Sequence, residues 1–413
     1  MAKKVLKWAA ALLGAIVVLL AAFLAYVQVT GIPTYPHATP ARHVEVTPER
    51  VAAGRALAET LCNGCHLDPA TKRLTGKRSA DIPPAFGVVY SANITRSTAH
   101  GIGAWTDGEL AYLLRTGVRP DGRYVPPYMV KLPHLSDDEL DGLIAFLRSE
   151  EDLVAPVEAP PKGVSAPSLL VKVLSHLVMK PLPFPTARVV APPRTDRVAY
   201  GRYVVASRDC YGCHSADFKT TDALVPEKTP GYFGGGNALI GGDGKQILSA
   251  NLTPDAETGI GRWSEADFSR ALRFGISRSA TVLRYPMEPK PEIDEDQAAA
   301  IYAYLRTIPP IKNRVARFKD SAPSGSDEGE RAFHAYGCTS CHGETGSAFA
   351  DLRGANRDFA SDGPLLEWLL DAPRLRPGTK MPGFRGIIAE RDYAPLIRHV
   401  RKLSSNGAAS ARL

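Results

Sequence analysis

The pattern C-x-x-C-H occurs three times in this chain, as Cys62-Asn63-Gly64-Cys65-His66, Cys210-Tyr211-Gly212-Cys213-His214 and Cys338-Thr339-Ser340-Cys341-His342. All six cysteines of the 413 residues lie in these copies. The spacing is the attachment signal for a c-type haem. Two thiols add across the two vinyl groups of one porphyrin, and the adjacent imidazole reaches the iron as its proximal ligand. The expectation is therefore three covalently bound haem c groups. Cys62 and Cys65, Cys210 and Cys213, and Cys338 and Cys341 would hold them, with His66, His214 and His342 on the irons. A redox dithiol does not need a histidine after each second cysteine. Zinc sites usually pair two C-x-x-C motifs, which fits three identical copies poorly. No cysteine is left for a disulfide.

The start of the chain sets where these motifs sit. Lys3, Lys4 and Lys7 precede twenty residues, Trp8 to Val27, without a charge. That length matches a bilayer span. No Lys or Arg follows until Arg42, so the positive-inside rule places Met1 in the cytoplasm and the rest outside. A cleaved signal peptide has a shorter apolar core and a small-x-small site, and Ala25 to Thr30 offers no clean one. The segment reads as an uncleaved anchor over 1–30, crossing a bacterial inner membrane once with the haem domains in the periplasm. With 23% charged and 44% hydrophobic residues the remainder is globular in composition. The formal charge of +7 would be offset by haem propionates and does not indicate nucleic-acid binding.

An internal repeat organises the next two motifs. Ser91-Ala92-Asn93-Ile94-Thr95 recurs as Ser249-Ala250-Asn251-Leu252-Thr253, and Gly101-Ile102-Gly103-Ala104-Trp105 as Gly259-Ile260-Gly261-Arg262-Trp263. Leu114-Arg115-Thr116-Gly117 returns as Leu272-Arg273-Phe274-Gly275, and Ala145-Phe146-Leu147-Arg148 as Ala303-Tyr304-Leu305-Arg306. Every pair is offset by 158 positions. The same offset carries Met129 onto Met287, and Met381 lies downstream of the third motif. A lone methionine is usually core filler. One per haem domain, two of them in register, points to Met129, Met287 and Met381 as distal ligands, with the thioether raising the reduction potential. The rival ligands are His100 and His134 in the first domain, and His334 and His399 in the third.

A helix is expected before each motif, with Gly54, Gly201 or Gly329 near its start for close packing. Acidic starts at Ser136-Asp137-Asp138-Glu139 and Asp294-Glu295-Asp296-Gln297 predict closing helices. Leu143, Ile144, Phe146 and Leu147, and Ile301, Tyr302, Tyr304 and Leu305, would form their buried faces. Helix, motif, loop, methionine, closing helix is the order of a cytochrome c domain. The expected fold is all-α: a transmembrane helix followed by three cytochrome c-like domains at 45–152, 196–310 and 321–405. A Pro-rich linker at 153–195 contains a short apolar helix around 168–180, suited to the bilayer surface, a partner, or packing between domains. Residues 321–328 read as a flexible hinge, able to let the third domain swing or merely to lie exposed beside a docked one.

With these motifs behind one anchor, the chain resembles the tri-haem membrane-bound cytochrome c subunits of bacterial alcohol, gluconate and related sugar dehydrogenases. The resemblance covers about residues 45–310. It implies an electron-transfer subunit that takes electrons from a membrane-bound or periplasmic dehydrogenase and passes them to ubiquinone or a terminal acceptor. The third domain departs from that pattern. His342 and Met381 are 39 positions apart, against 63 and 73 in the other two. It resembles a compact single-haem cytochrome c domain, which leaves open a role in feeding a terminal oxidase or other respiratory complex. A di-haem peroxidase would need an open distal site, which three candidate methionines argue against, and no signalling domain follows Met381. The chain shows no dinucleotide fingerprint and no hydrolase elbow, so no substrate chemistry is assigned to it. Gly234-Gly235-Gly236 and Gly241-Gly242-Asp243-Gly244 read as loop material near a haem.

Overall fold

The computed structural model describes residues 2–79, 82–241, 246–278, 282–316, 325–346, 350–376, 379 and 381–410. Helix α1 (Ala2–Thr30) is the membrane span: its Lys3–Thr30 stretch is long and apolar enough to cross a bilayer and almost none of it is covered by protein. Among the described residues the rest is mainly helical, with two short two-stranded antiparallel ribbons that the all-α expectation did not include. The chain divides into two compact units. The first comprises Met1–Arg55, Cys62–Pro133 and Asp137–Val189; the second comprises Ala56–Leu61, His134–Ser136 and Val190–Leu413.

In the first unit, α2 (Pro48–Leu61, only its first turns counted here) leads into α3 (Asn63–His66), followed by α4 (Asp107–Thr116) and α5 (Asp137–Arg148). Thr106 and Glu109 form a capping box at the start of α4, and Gly117 ends it in the left-handed region. Asp137, Asp138 and Glu139 occupy the first turn of α5, where they complement the helix dipole. Leu140, Leu143, Ile144, Phe146 and Leu147 are buried on it, as the periodicity predicts. A Cβ on Gly54 would fall 1.9 Å from the Gly142 carbonyl oxygen, so α2 and α5 cross backbone on backbone.

The Pro-rich segment after α5 is part of this unit as far as Val189. It runs as a strap across the loops of the first repeat. Leu74 N–H donates to Leu153 O (2.8 Å), Arg96 N–H to Val154 O (2.9 Å), Ser168 N–H to Phe86 O (3.0 Å) and Leu182 N–H to Thr116 O (3.1 Å). β1 (Gly87–Val88) pairs with β2 (Ala166–Pro167) in it. The first two of these bonds use carbonyls of the proline-rich segment and the last two use N–H groups it retains, so its backbone pairs with the loops in both directions. The strap carries α6 (Leu169–Leu177), capped by Ser168.

The second unit repeats the arrangement. α7 (Arg197–Ser207), α8 (Cys210–His214), the ribbon of β3 (Ala238–Ile240) and β4 (Gln246–Leu248), α9 (Glu265–Phe274) and α10 (Glu295–Leu305) follow in order. Ser264 with Asp267 and Asp294 with Gln297 cap α9 and α10. Tyr200, Val204, Val205, Phe233, Ile301 and Leu305 share one core. Tyr302, expected on the buried face, is half-buried and donates its hydroxyl to Trp263 O (2.6 Å), because α10 turns that position toward the rim of the core. Gly201 meets α10 as Gly54 meets α5: a Cβ would sit 2.0 Å from Ala300 O.

The same unit also contains α11 (Glu328–Ala335), α12 (Thr339–His342), α13 (Ala355–Asp358), α14 (Asp362–Leu375) and α15 (Tyr393–Ser410). They enclose a separate core of Phe333, Leu365, Leu369, Phe384, Leu396 and Val400. Gly329 brings α11 onto α15, with a Cβ position 2.2 Å from Pro395 O. Half of the expected hinge, residues 321–324, lies outside the described residues, as do residues 242–244 of the second glycine stretch.

The crossings make a testable demand. Gly201→Ala must push α7 off α10 and lowers stability by about 1–3 kcal/mol, as overpacking does. Gly363→Ala in α14, with nothing within 4 Å of its Cβ position, does not. Thermal unfolding followed by circular dichroism compares the two; equal midpoints would mean that the crossing tolerates a side chain.

Candidate metal centres

Each motif folds as one helical turn. In the first, Cys65 and His66 N–H both turn back to the Cys62 carbonyl (3.1 and 2.8 Å); in the third, Cys341 and His342 do so to Cys338 (3.3 and 3.0 Å). Residues three apart lie on one face of such a turn, so the two thiols project together and the histidine follows directly. None of the six cysteines is in a disulfide. Desolvation pushes Cys62 and Cys338 up to about 12 and Cys210 up to about 11. A redox dithiol needs the opposite shift.

The histidines share one feature. His66 Nδ1 lies 2.7 Å from Ala92 O, His214 Nδ1 3.0 Å from Ala250 O, and His342 Nδ1 2.5 Å from Ala350 O. A carbonyl can only accept, so Nδ1 carries the proton in all three. Burial pulls each imidazole below its ordinary pKa, which keeps the ring neutral. The Nε2 lone pair is then the one left for a metal, the outer-shell arrangement of a ligating histidine.

The repeated S-A-[N]-[IL]-T stretch builds that carbonyl. Asn93 Oδ1 accepts from Thr95 N–H (2.9 Å) and Thr95 Oγ1 (2.7 Å); Asn251 does the same for Thr253 at 2.9 and 2.7 Å. The amide nitrogens reach the chain after the closing helix, Asn93 Nδ2 to Val157 O (3.3 Å) and Asn251 Nδ2 to Ile311 O (2.8 Å). From the other side, Gly76 N–H donates to His66 O and Gly235 N–H to His214 O, both at 2.8 Å. These glycines have φ of +82° and +68°, and a Cβ would strike the peptides of Ser91–Ala92 and Ala250–Asn251. The third motif uses a shorter route, closing Ala350 N–H onto Cys341 O at 2.8 Å.

Met129 and Met287 occupy equivalent half-buried turns. Their N–H groups donate to Pro126 O (3.2 Å) and Arg284 O (3.0 Å). The hairpins that carry them are superposable by hydrogen bonding: Val125 to Gly117 and Leu132 to Leu114 in one, Leu283 to Gly275 and Lys290 to Leu272 in the other. Arg115, 1% exposed, holds the chain after Met129 through Leu132 O (2.8 Å), Pro133 O (3.0 Å) and Asp137 (3.1 Å). Lys131 Nζ donates to the carbonyls of Val125 (2.6 Å), Pro126 (2.9 Å) and Met129 (2.8 Å). Pro289 fills the matching seat in the second repeat. Sequence reading missed Lys131, Gly76 and the alanine carbonyls, and it named Gly235 only as loop material near a haem; the 158-residue register links Ala92 to Ala250 but does not reach Ala350.

In the third motif the sites converge visibly. Cys338, His342 and Met381 line one pocket, with Phe333, Trp368 and Leu396 among its walls. The rival histidines have these surroundings. His100 is exposed, His134 Nε2 contacts Ala223 O (2.9 Å), and His334 Nε2 pairs with Glu344 (2.9 Å). His399 is buried against Phe333 and lines a different pocket, with Asp327 and Arg398. Among the described residues no three His, Cys, Asp or Glu side chains converge, as the ligands of a protein-only metal site would. The donor set, one neutral imidazole and two thiols per motif, fits haem c.

The chain is similar to the cytochrome c subunits of bacterial dehydrogenase complexes. It is 26% identical over 387 residues to the cytochrome c subunit of the quinone alcohol dehydrogenase of Gluconobacter oxydans, covering 84% of this chain and 77% of that one. It is 26% identical over 329 residues to the fructose dehydrogenase cytochrome subunit of Gluconobacter japonicus, covering 70% of this chain and 63% of that one, less than two thirds of its length. For the gluconate 2-dehydrogenase cytochrome c subunit of Pantoea cypripedii the figures are 25% over 381 residues, 84% and 83%. No known family profile matches the chain.

Proposed function

We propose that this chain is the membrane-anchored electron-transfer subunit of a dehydrogenase complex, holding three haem c groups on the periplasmic side and passing electrons to ubiquinone or a downstream acceptor. The carrying observation is the threefold Nδ1–carbonyl hydrogen bond, which prepares Nε2 of His66, His214 and His342 as a ligand. Haem c supplies one-electron chemistry when bound. The chain's own residues fix the imidazoles, attach the porphyrins through the cysteine pairs and bury the rings. Met129, Met287 and Met381 are proposed as the distal ligands, from the shared turn of the first two and the cavity that Met381 shares with His342. The relatives' names supply the candidate partners: an alcohol, fructose or gluconate dehydrogenase.

Each of Met129→Ala, Met287→Ala and Met381→Ala should remove its share of the weak near-infrared sulfur-to-iron band of the oxidised protein. A band unchanged in one variant would reassign that iron.

The role itself is tested in membrane vesicles of the source cells offered ethanol, fructose or gluconate. At least one substrate should reduce ubiquinone in normal vesicles and fail to do so in vesicles with His214→Ala. Full rates with all three substrates in the variant would overturn the role.

A further inference from the structure

Helix α6 presents its side chains the wrong way round for a soluble surface helix. Its polar residues face protein. Lys172 Nζ donates to Gln28 Oε1 (3.1 Å), Ser175 is fully buried, and His176 Nε2 meets Gly31 O (3.0 Å) while its ring packs edge-on against Tyr26 at 5.6 Å. With Val171, also buried, these residues use up the inner half of the helix. The outer half is apolar. Leu170, Val173, Leu174 and Leu177 fall within one broad stripe at 3.6 residues per turn. Leu169, Leu170 and Leu177 are 41%, 46% and 59% exposed, and Val178 just beyond is 68% exposed.

The contacts also fix the height of α6. Those of Lys172 and His176 fall on Tyr26, Gln28 and Gly31, at the outer end of the membrane span. Trp8 and Tyr26, both well exposed, stand 18 residues apart on α1, about 27 Å along its axis, close to the thickness of the hydrocarbon core. Aromatic residues at those two levels mark the two membrane–water interfaces. A helix docked beside Tyr26 therefore lies at the outer headgroup level, with its apolar stripe continuous with the lipid-facing surface of α1.

We infer that α6 is a second membrane contact, an interfacial helix whose Leu170–Val173–Leu174–Leu177 stripe enters the outer leaflet. Together with α1 it gives the first unit two attachments to the bilayer. Two attachments restrict the first unit's orientation over the membrane more than α1 alone does. The occupant is lipid, because the stripe adjoins a lipid-facing helix and its polar groups are all spent on protein.

The full chain is reconstituted at low density in phosphatidylcholine vesicles containing a lipid with a diazirine near the glycerol end of one acyl chain. After illumination the lipid adducts are mapped by peptide mass. Residues 168–179 should carry adducts several-fold above the exposed turn at 69–72. Leu170→Glu with Leu177→Glu should reduce them to the level of that turn while the adducts on α1 stay unchanged. Adducts on α1 alone would overturn the inference. So would chain-to-chain cross-links at α6 in their place, which would assign the stripe to a second copy. The readout does not depend on the bound haem, so its failure leaves the electron-transfer reading standing.

Discussion

One hydrogen bond type supports everything proposed for the three motifs: the histidine Nδ1 proton given to a backbone carbonyl. The acceptor lies 26 residues downstream of His66, 36 downstream of His214 and 8 downstream of His342. It is common to all three despite these different routes. An imidazole that kept its proton on Nε2, or rotated freely, would not present a lone pair in a fixed direction. The surrounding loop residues, from the asparagine clamp to the glycines at φ near +70 to +80°, hold the carbonyl where that ring needs it.

The helix crossings supply the rigid frame. In each case a glycine lets a helix preceding the motif touch the backbone of a closing helix, and the carbonyl loops hang between the two. The arrangement of the first two repeats is near-identical down to the hairpins that carry Met129 and Met287. The third reaches the same histidine geometry with a shorter loop and a cavity of its own, in keeping with its closer spacing of His342 and Met381.

Much of this was legible in the sequence. The motifs, the 158-residue register, the glycine crossings and the acidic starts of α5 and α10 follow from side-chain identity and periodicity. The acceptor carbonyls were not legible, because any residue offers a carbonyl and Ala92, Ala250 and Ala350 carry no chemical signal. Lys131 was missed because it breaks the repeat, with Pro289 in the same seat. The strap after α5 read as a linker because proline-rich composition reports a lack of donors and says nothing of where the remaining backbone groups pair. The apolar helix in that segment was recognised, but which of its faces points outward is set by α1 and became visible only with the contacts to Tyr26, Gln28 and Gly31.

The central claim is that all three motifs, including the divergent third, hold a haem. The most direct test is the intact mass of the denatured full chain produced in a host that matures c-type cytochromes. The account predicts the polypeptide plus three haems, with the thioether links mapped to Cys62 and Cys65, Cys210 and Cys213, and Cys338 and Cys341. A mass of the polypeptide plus two haems, with Cys338 and Cys341 recovered as free thiols, would contradict it.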